Sequence, residues 1–161
     1  MLTDPEIPVV TLREMGILRD VHVRDHEVEV VITPTYSGCP AMEQIHDDIV
    51  RTVNALGVST RVTTQLAPAW TTDWMTPHAR DKLRAYGIAP PAACSHAAPA
   101  GSGPSGIVMQ FASKAVARDV VPCPRCNSHD TTETSHFGST ACKSLYKCLS
   151  CLEPFDYFKP Y

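Results

Sequence analysis

Two stretches of alternating apolar and polar positions open the chain. Val21 and Val23 alternate with polar residues in the first (residues 18–23), and Val28, Val30 and Ile32 do so in the second (28–33). Arg24-Asp25-His26-Glu27 between them is a polar turn, so the pattern predicts a β-hairpin. The period then changes. Met42, Ile45, Ile49, Val53 and Leu56 recur at three- and four-residue steps and make one apolar stripe, predicting a helix that starts near Pro40 and is stopped by Gly57. Val58, Val62 and Leu66 alternate with threonine and arginine as a third strand. Thr76 caps, Pro77 opens and Gly87 closes a second helix over residues 77–86. At the front, Asp4-Pro5-Glu6 carries a capping acid followed by proline, and a short helix fits the segment up to Gly16.

Residues 89–106 are alanine, proline, glycine and serine apart from Cys94 and His96. Such a composition buries little and predicts a linker. Residues 107–120 fit either a short helix or an extended arm. Cys94 receives no role. The expected organisation is α+β: a small two-layer α/β domain (hairpin, helix, third strand, helix) over 1–88, a linker and connecting segment over 89–115, and a C-terminal β ribbon over 116–161. A chain of 161 residues with 43% hydrophobic residues supports one modest core and a small satellite.

The charge balance, 14 basic against 17 acidic residues, contains no basic block, which removes the electrostatic footprint of a nucleic-acid binder. No apolar run approaches the ~20 residues of a membrane span. Acids and prolines occupy the first eight positions instead of a basic and apolar leader, so a cytoplasmic, reducing location is expected. In that setting the seven cysteines are better read as metal ligands or reactive groups than as disulfides.

Cys123-Pro-Arg-Cys126 and Cys148-Leu-Ser-Cys151 are two C-x-x-C pairs with residues 127–147 between them. Two thiolates three positions apart on a tight turn converge on one ion, and a second such turn completes a tetrahedron. Zinc is the expected ion. A redox C-x-x-C and rubredoxin-like iron are the alternatives, iron because it accepts the same ligand geometry. Four thiolates leave no open position, so the centre is expected to be structural. If residues 142–148 are extended, Cys142 lies about 20 Å from Cys148 and is no ligand there. A partly buried free thiol is then its expected state.

Cys39 is placed for chemistry in the first domain. With Pro40 at the first helical position it becomes the cap of the helix, where N–H groups and the helix dipole favour a thiolate. It then serves as a transient iron or iron–sulfur ligand or as a nucleophile; the plain alternative is a small apolar cap residue. His46 lies two turns up the helix, too far for a catalytic pair. Trp70 and Trp74 form either an exposed docking surface or a cover for the sheet. Phe155, Tyr157, Phe158 and Tyr161 crowd the last residues and either dock a partner or cover the metal knuckles.

The first part resembles the α/β domain of iron–sulfur maturation factors in Asp4-Pro5-Glu6-Ile7-Pro8, Gly16-Ile17-Leu18-Arg19-Asp20-Val21 and Thr33-Pro34-Thr35-Tyr36-Ser37-Gly38-Cys39-Pro40. The reactive cysteine of that family falls on Cys39, and only the resemblance places Asp4 and Glu6 near it. The whole arrangement is similar to something narrower. Trp70-Thr71-Thr72-Asp73-Trp74-Met75, then a four-cysteine ribbon containing Phe137-Gly138-Ser139-Thr140-Ala141-Cys142-Lys143 and ending Glu153-Pro154-Phe155-Asp156-Tyr157-Phe158-Lys159, resemble the D-subunit family of bacterial phenylacetyl-CoA epoxidases. The resemblance implies a non-catalytic accessory subunit of a ring-epoxidising complex of phenylacetate breakdown. It would assist insertion of iron or iron–sulfur centres, with a di-iron oxygenase or a flavin/[2Fe–2S] reductase as partner. A docking subunit is the alternative implied, and a homodimer is left open. The sequence agrees in lacking a Gly-rich dinucleotide loop after a strand.

Overall fold

The computed structural model describes residues 1–91 and 120–161. Cys94, most of the expected linker and the helix-or-arm reading of residues 107–119 lie outside the described residues. Strands β1 (Leu18–Arg24) and β2 (Glu27–Ile32) form the expected hairpin, with Val21 opposite Val30 and Val23 opposite Val28. Strand β3 (Ser59–Thr64) adds to β2 in parallel. A parallel neighbour needs a crossover, and helix α1 (Ala41–Asn54) supplies it. It sends Ile45 and Ile49 into a core shared with Val30 and Ile32, while Met42 and Val53 flank it half-buried. Leu56 does not join the stripe. The helix ends two residues earlier, and this side chain is 77% exposed on the turn before Gly57, whose φ of +79° reverses the chain. β1 is one of the two edge strands, and Val21 and Val23 on it are exposed although their partners on β2 are covered.

The short helix expected before Gly16 is not formed. The Asp4 carboxylate does accept the N–H groups of Glu6 and Ile7, at 2.8 and 2.9 Å, as a capping acid would. The chain then closes a loop in which Val10 N–H returns to the Ile7 carbonyl and Asp4 N–H to that of Val10. Ile7, Val10, Leu12, Met15 and Ile17 are all buried. These positions spread over about 220° of a helical wheel, wider than one helix face buries, and a series of turns can bury them all.

Helix α2 (Pro77–Tyr86) is bounded as its sequence predicts. The Thr76 hydroxyl accepts the Ala79 N–H at 3.1 Å, and Gly87 takes φ +101° after the last turn. The chain passes directly into β4 (Ile88–Ala89), which pairs in parallel with β7 (Pro154–Phe158). With β5 (Thr131–Ser135) and β6 (Lys143–Cys148) these make a second sheet in the order β4-β7-β6-β5. The boundary expected at residue 88 therefore falls inside a strand of the ribbon's sheet.

The two sheets share a core. Ile88, Cys142 and Phe158 are buried with Ile7, Met15, Ile45 and Trp70. The Trp70 indole N–H donates to the Met15 carbonyl at 3.0 Å, and its ring meets those of Phe158 and Tyr161 at centroid distances of 6.0 and 6.2 Å. This corrects the docking expectation. Trp70 and Phe158 are buried in the core that the two sheets share, whereas Phe155 and Tyr157 are buried with Cys123 and Cys148 in the ribbon's own core, so these two rings cover the metal knuckles. Trp74 is half-buried beneath the Arg19 guanidinium, which stacks 3.4 Å above its ring.

Candidate functional site

Two clusters of thiols stand out. In the ribbon, Asn127 and Leu152 follow the two C-x-x-C pairs with φ of +58° and +66°. These left-handed residues turn each knuckle back on itself, so that Asn127 N–H reaches the Cys123 carbonyl and Cys148 N–H that of Glu153. The Ser128 and Ser150 hydroxyls join the knuckles at 2.7 Å. The result is that the sulfurs of Cys123, Cys126, Cys148 and Cys151 all lie within 4.8 Å of one another. Cys123–Cys151 and Cys126–Cys148 are 3.8 and 3.6 Å apart. A tetrahedral ion with bonds of about 2.3 Å to sulfur needs sulfurs about 3.8 Å apart. The donor set therefore fits one ion of that size. Among the described residues it is the group of three or more metal-ligating atoms gathered so tightly. The Cys151 and Ser150 N–H groups point at Cys148 and hold its thiol down, to about 6, despite its burial.

Two Glu-x-x-His spacings, Glu43/His46 and Glu133/His136, sit on exposed faces of α1 and the β5 hairpin and do not converge. Neither builds a dinuclear site of the bundle kind.

The second cluster surrounds Cys39. Pro40 is the residue that caps α1, one position later than expected, and no side chain caps the helix. Cys39 sulfur accepts the Ala41 N–H, which favours a thiolate, yet burial outweighs it and pushes the thiol up to about 11. The expectation of an enriched thiolate is thus reversed for the metal-free protein. Helix-end N–H groups act on a sulfur that is half-buried and faces negative groups. Glu6, Cys142 and Asp4 each raise it further. Asp4 and Glu6, which only a resemblance had placed here, are therefore within electrostatic reach of the Cys39 sulfur. Both carboxyls are themselves raised, first by burial. Tyr36 borders the same space and is raised by burial and by Cys39 and Cys142.

Sequence reasoning missed Cys142. It is 4% exposed, not partly buried, and it lies in the shared core, against which Cys39 also packs, rather than in the ribbon's own interior. The Thr140 hydroxyl stands 3.0 Å from its sulfur. Lys143 is buried next to it, 3.5 Å from Asp156. No local spacing connects residue 142 with residue 39; the link exists only because the sheets share a core.

Comparison with known proteins follows the same division. Residues 1–64 match the iron-sulfur cluster assembly protein family, and residues 110–159 match the PaaD zinc beta ribbon domain. The chain is thus an iron–sulfur-assembly-type domain joined to a zinc ribbon. It is 48% identical over 159 residues to a protein of Escherichia coli (strain K12) provisionally named the D subunit of 1,2-phenylacetyl-CoA epoxidase, covering 98% of this chain and 86% of that relative. It belongs to that family of epoxidase D subunits. Two solved structures also overlap the chain. One is a domain of unknown function, DUF59, from Bacillus anthracis (27% identical, TM-score 0.46, 50% of this chain and 78% of that one). The other is a conserved hypothetical protein from Thermotoga maritima (24% identical, TM-score 0.41, 51% and 82%). No helix among the described residues is long and apolar enough to cross a membrane.

Proposed function

We propose that this chain is an accessory, non-catalytic subunit of a phenylacetyl-CoA epoxidase that assists insertion of iron or an iron–sulfur centre into its partners, with Cys39 as a transient ligand. The ribbon ion is zinc, held permanently by Cys123, Cys126, Cys148 and Cys151 as a structural centre. The observation that supports the reading is a half-buried cysteine at the entrance to α1, Cys39, within electrostatic reach of Asp4 and Glu6, in the part of the chain that matches iron-sulfur cluster assembly proteins. One soft thiolate with hard oxygen donors nearby suits iron and holds it weakly, and a carrier must release its cargo. Closed thiol coordination in the ribbon suits the opposite task.

The partners are the iron-containing subunits of that complex, an oxygenase or a reductase. The alternative reading, docking through the zinc ribbon and the aromatic tail, loses support at Phe155, Tyr157 and Phe158, which are buried within the chain, while Tyr161 is 41% exposed. Co-expression of the other subunits with and without this chain, followed by iron analysis of each, tests the proposal. Cys39→Ser is expected to keep the fold and the zinc yet leave a partner short of iron. Full metal loading with that variant would reduce Cys39 to a packing residue.

A further inference from the structure

The outer edge of β1 is open. In the sheet order β1-β2-β3 it bonds β2 on one side, and among the described residues no strand lies on the other. Arg24 opposite Glu27 closes a tight hairpin, so Arg24 and His22 turn their backbone groups towards β2, while Val23 and Val21 turn theirs outward. At Val21 the N–H accordingly points away from β2 and donates to the Asp20 carboxylate at 2.8 Å. The side chains are as open as the backbone. Val21 and Val23 are 46% and 77% exposed, on the side of the sheet where Val30 is buried under α1. An edge of this kind with apolar side chains is a template for another strand. The bulge between Leu18 and Asp20 limits the regular part to the residues that follow it.

The sequence of this edge is complementary to itself. Laid antiparallel about His22, Asp20-Val21-His22-Val23-Arg24 sets Asp20 opposite Arg24 of a second copy, Val21 opposite Val23, and His22 opposite His22. The same centre makes the outward-facing valines a hydrogen-bonded pair and leaves His22 in the non-bonded pair between them, which is the alternation an antiparallel ladder needs. Charges on an edge strand usually keep strands apart. Here they favour a second copy, because aspartate faces arginine on both sides of the centre. Moving the centre to Val21 keeps the hydrogen bonds but sets Arg24 opposite Leu18, beyond the bulge, so the ion pairs select the register.

We infer that this protein pairs with a second copy of itself through β1, making a continuous sheet in the order β3-β2-β1-β1-β2-β3 with a two-fold axis at His22. Within one chain Asp20 lies 3.6 Å from His22, and Arg24 lies 3.4 Å from Glu29. Both are surface contacts, which contribute little. Exchanging them for Asp20–Arg24 pairs across the axis frees the Val21 N–H for the Val23 carbonyl of the second copy. The valines of the two copies then cover one another beside α1. Neither Cys39 nor the ribbon ion takes part in this pairing.

The test is sedimentation velocity on the full chain, its ribbon filled with zinc, with two charge reversals. Asp20→Arg sets arginine opposite arginine across the axis, and Arg24→Asp sets aspartate opposite aspartate. Each variant alone should sediment as a monomer at a concentration where the wild type is a dimer. Mixed in equal amounts the two are complementary again, and a dimer with one copy of each should form. Both positions are exposed, and far-UV circular dichroism checks that each variant is folded. A wild type that stays monomeric up to millimolar concentration overturns the inference. So does a dimer that survives either reversal, or a mixture that stays monomeric. Should a reversal fail to fold, His22→Cys decides. Residues in a non-bonded antiparallel pair have Cα atoms about 4.5 Å apart, within the reach of a disulfide. Mild oxidation should then join two copies, with the bond mapped to position 22 in both; a link elsewhere, or none, overturns the pairing.

Discussion

Taking water away from a thiol favours its neutral form, and at Cys39 that effect outweighs the helix-end N–H that pulls the other way. Alkylation of Cys39 in metal-free protein is therefore expected to be slow at neutral pH and to climb steadily above pH 9, as the thiol approaches the value of about 11 to which it is raised. Glu6→Gln removes a carboxylate that disfavours the thiolate, so the labelling rate at a fixed pH of about 8 should rise. A fall would show that the acid acts otherwise. The sign for stability follows. A thiol whose folded value is raised contributes stability that is complete below its ordinary value of 9.0 and is lost as pH rises through about 11. Cys39 and the four ribbon cysteines were legible because each sits in a local pattern, a Gly-Cys-Pro turn or a C-x-x-C. Cys142 carries no such pattern. The distance estimated along β6 correctly separated it from the ribbon ion and could not say what it approached instead.

At the scale of elements, the two glycines that end the helices separate backbone strain from steric room. Gly57 and Gly87 both have positive φ, but nothing lies within 4 Å of a side chain added at Gly57, whereas the Arg125 guanidinium would stand 2.8 Å from one at Gly87. Gly57→Ala should cost about 1 kcal/mol from conformation alone. Gly87→Ala should cost more, because Arg125 must also leave its place against the end of α2. Urea denaturation of the pair checks the order, and equal losses would mean that Arg125 moves freely. Glu14 gives a second case. Its carboxylate takes Lys82 at 2.8 and 3.0 Å and the Thr11 N–H and hydroxyl at 2.9 Å, and Lys82 foremost lowers it to about 2. A lowered acid contributes stability that is present above its ordinary value of 4.5 and is lost as pH falls towards 2. Glu14→Gln should therefore lower the melting temperature at pH 7, by an amount matching about 1 kcal/mol for a partly exposed pair. Near pH 2 the difference should disappear; an equal loss at both would assign the effect to packing. The helices and strands whose ends carry caps and glycines were readable from sequence. The N-terminal turns were not, since Asp4 makes the hydrogen bonds of a cap while the residues after it bury on all sides.

The composition of residues 89–106 suggests two modules on a tether, and the described residues are instead interlocked. β4 follows α2 without a break and pairs with the last strand, and Trp70 of the first half lies against Phe158 and Tyr161 of the second. Aromatic residues near a chain end look alike in sequence whether they face a partner or a neighbouring layer of their own chain, which is why their burial was not legible. The shared core has an energetic consequence. Binding of a metal to four thiolates is in large part folding energy, and here the strand that carries Phe158 belongs to the ribbon sheet. Stripping the ion with a strong chelator, or replacing Cys148 by serine, should loosen β6 and β7 and with them the wall over Trp70. In a Trp74→Phe background, which leaves Trp70 as the sole tryptophan, emission should shift to longer wavelength as the ion is removed and return when zinc is restored. The melting of α1 and α2 should move to lower temperature in step with it. Phe158→Ala should reproduce the loss with zinc still bound, at about 3–5 kcal/mol for a fully buried aromatic. If Trp70 emission and helix melting both ignore loss of the ion, the halves are independent after all.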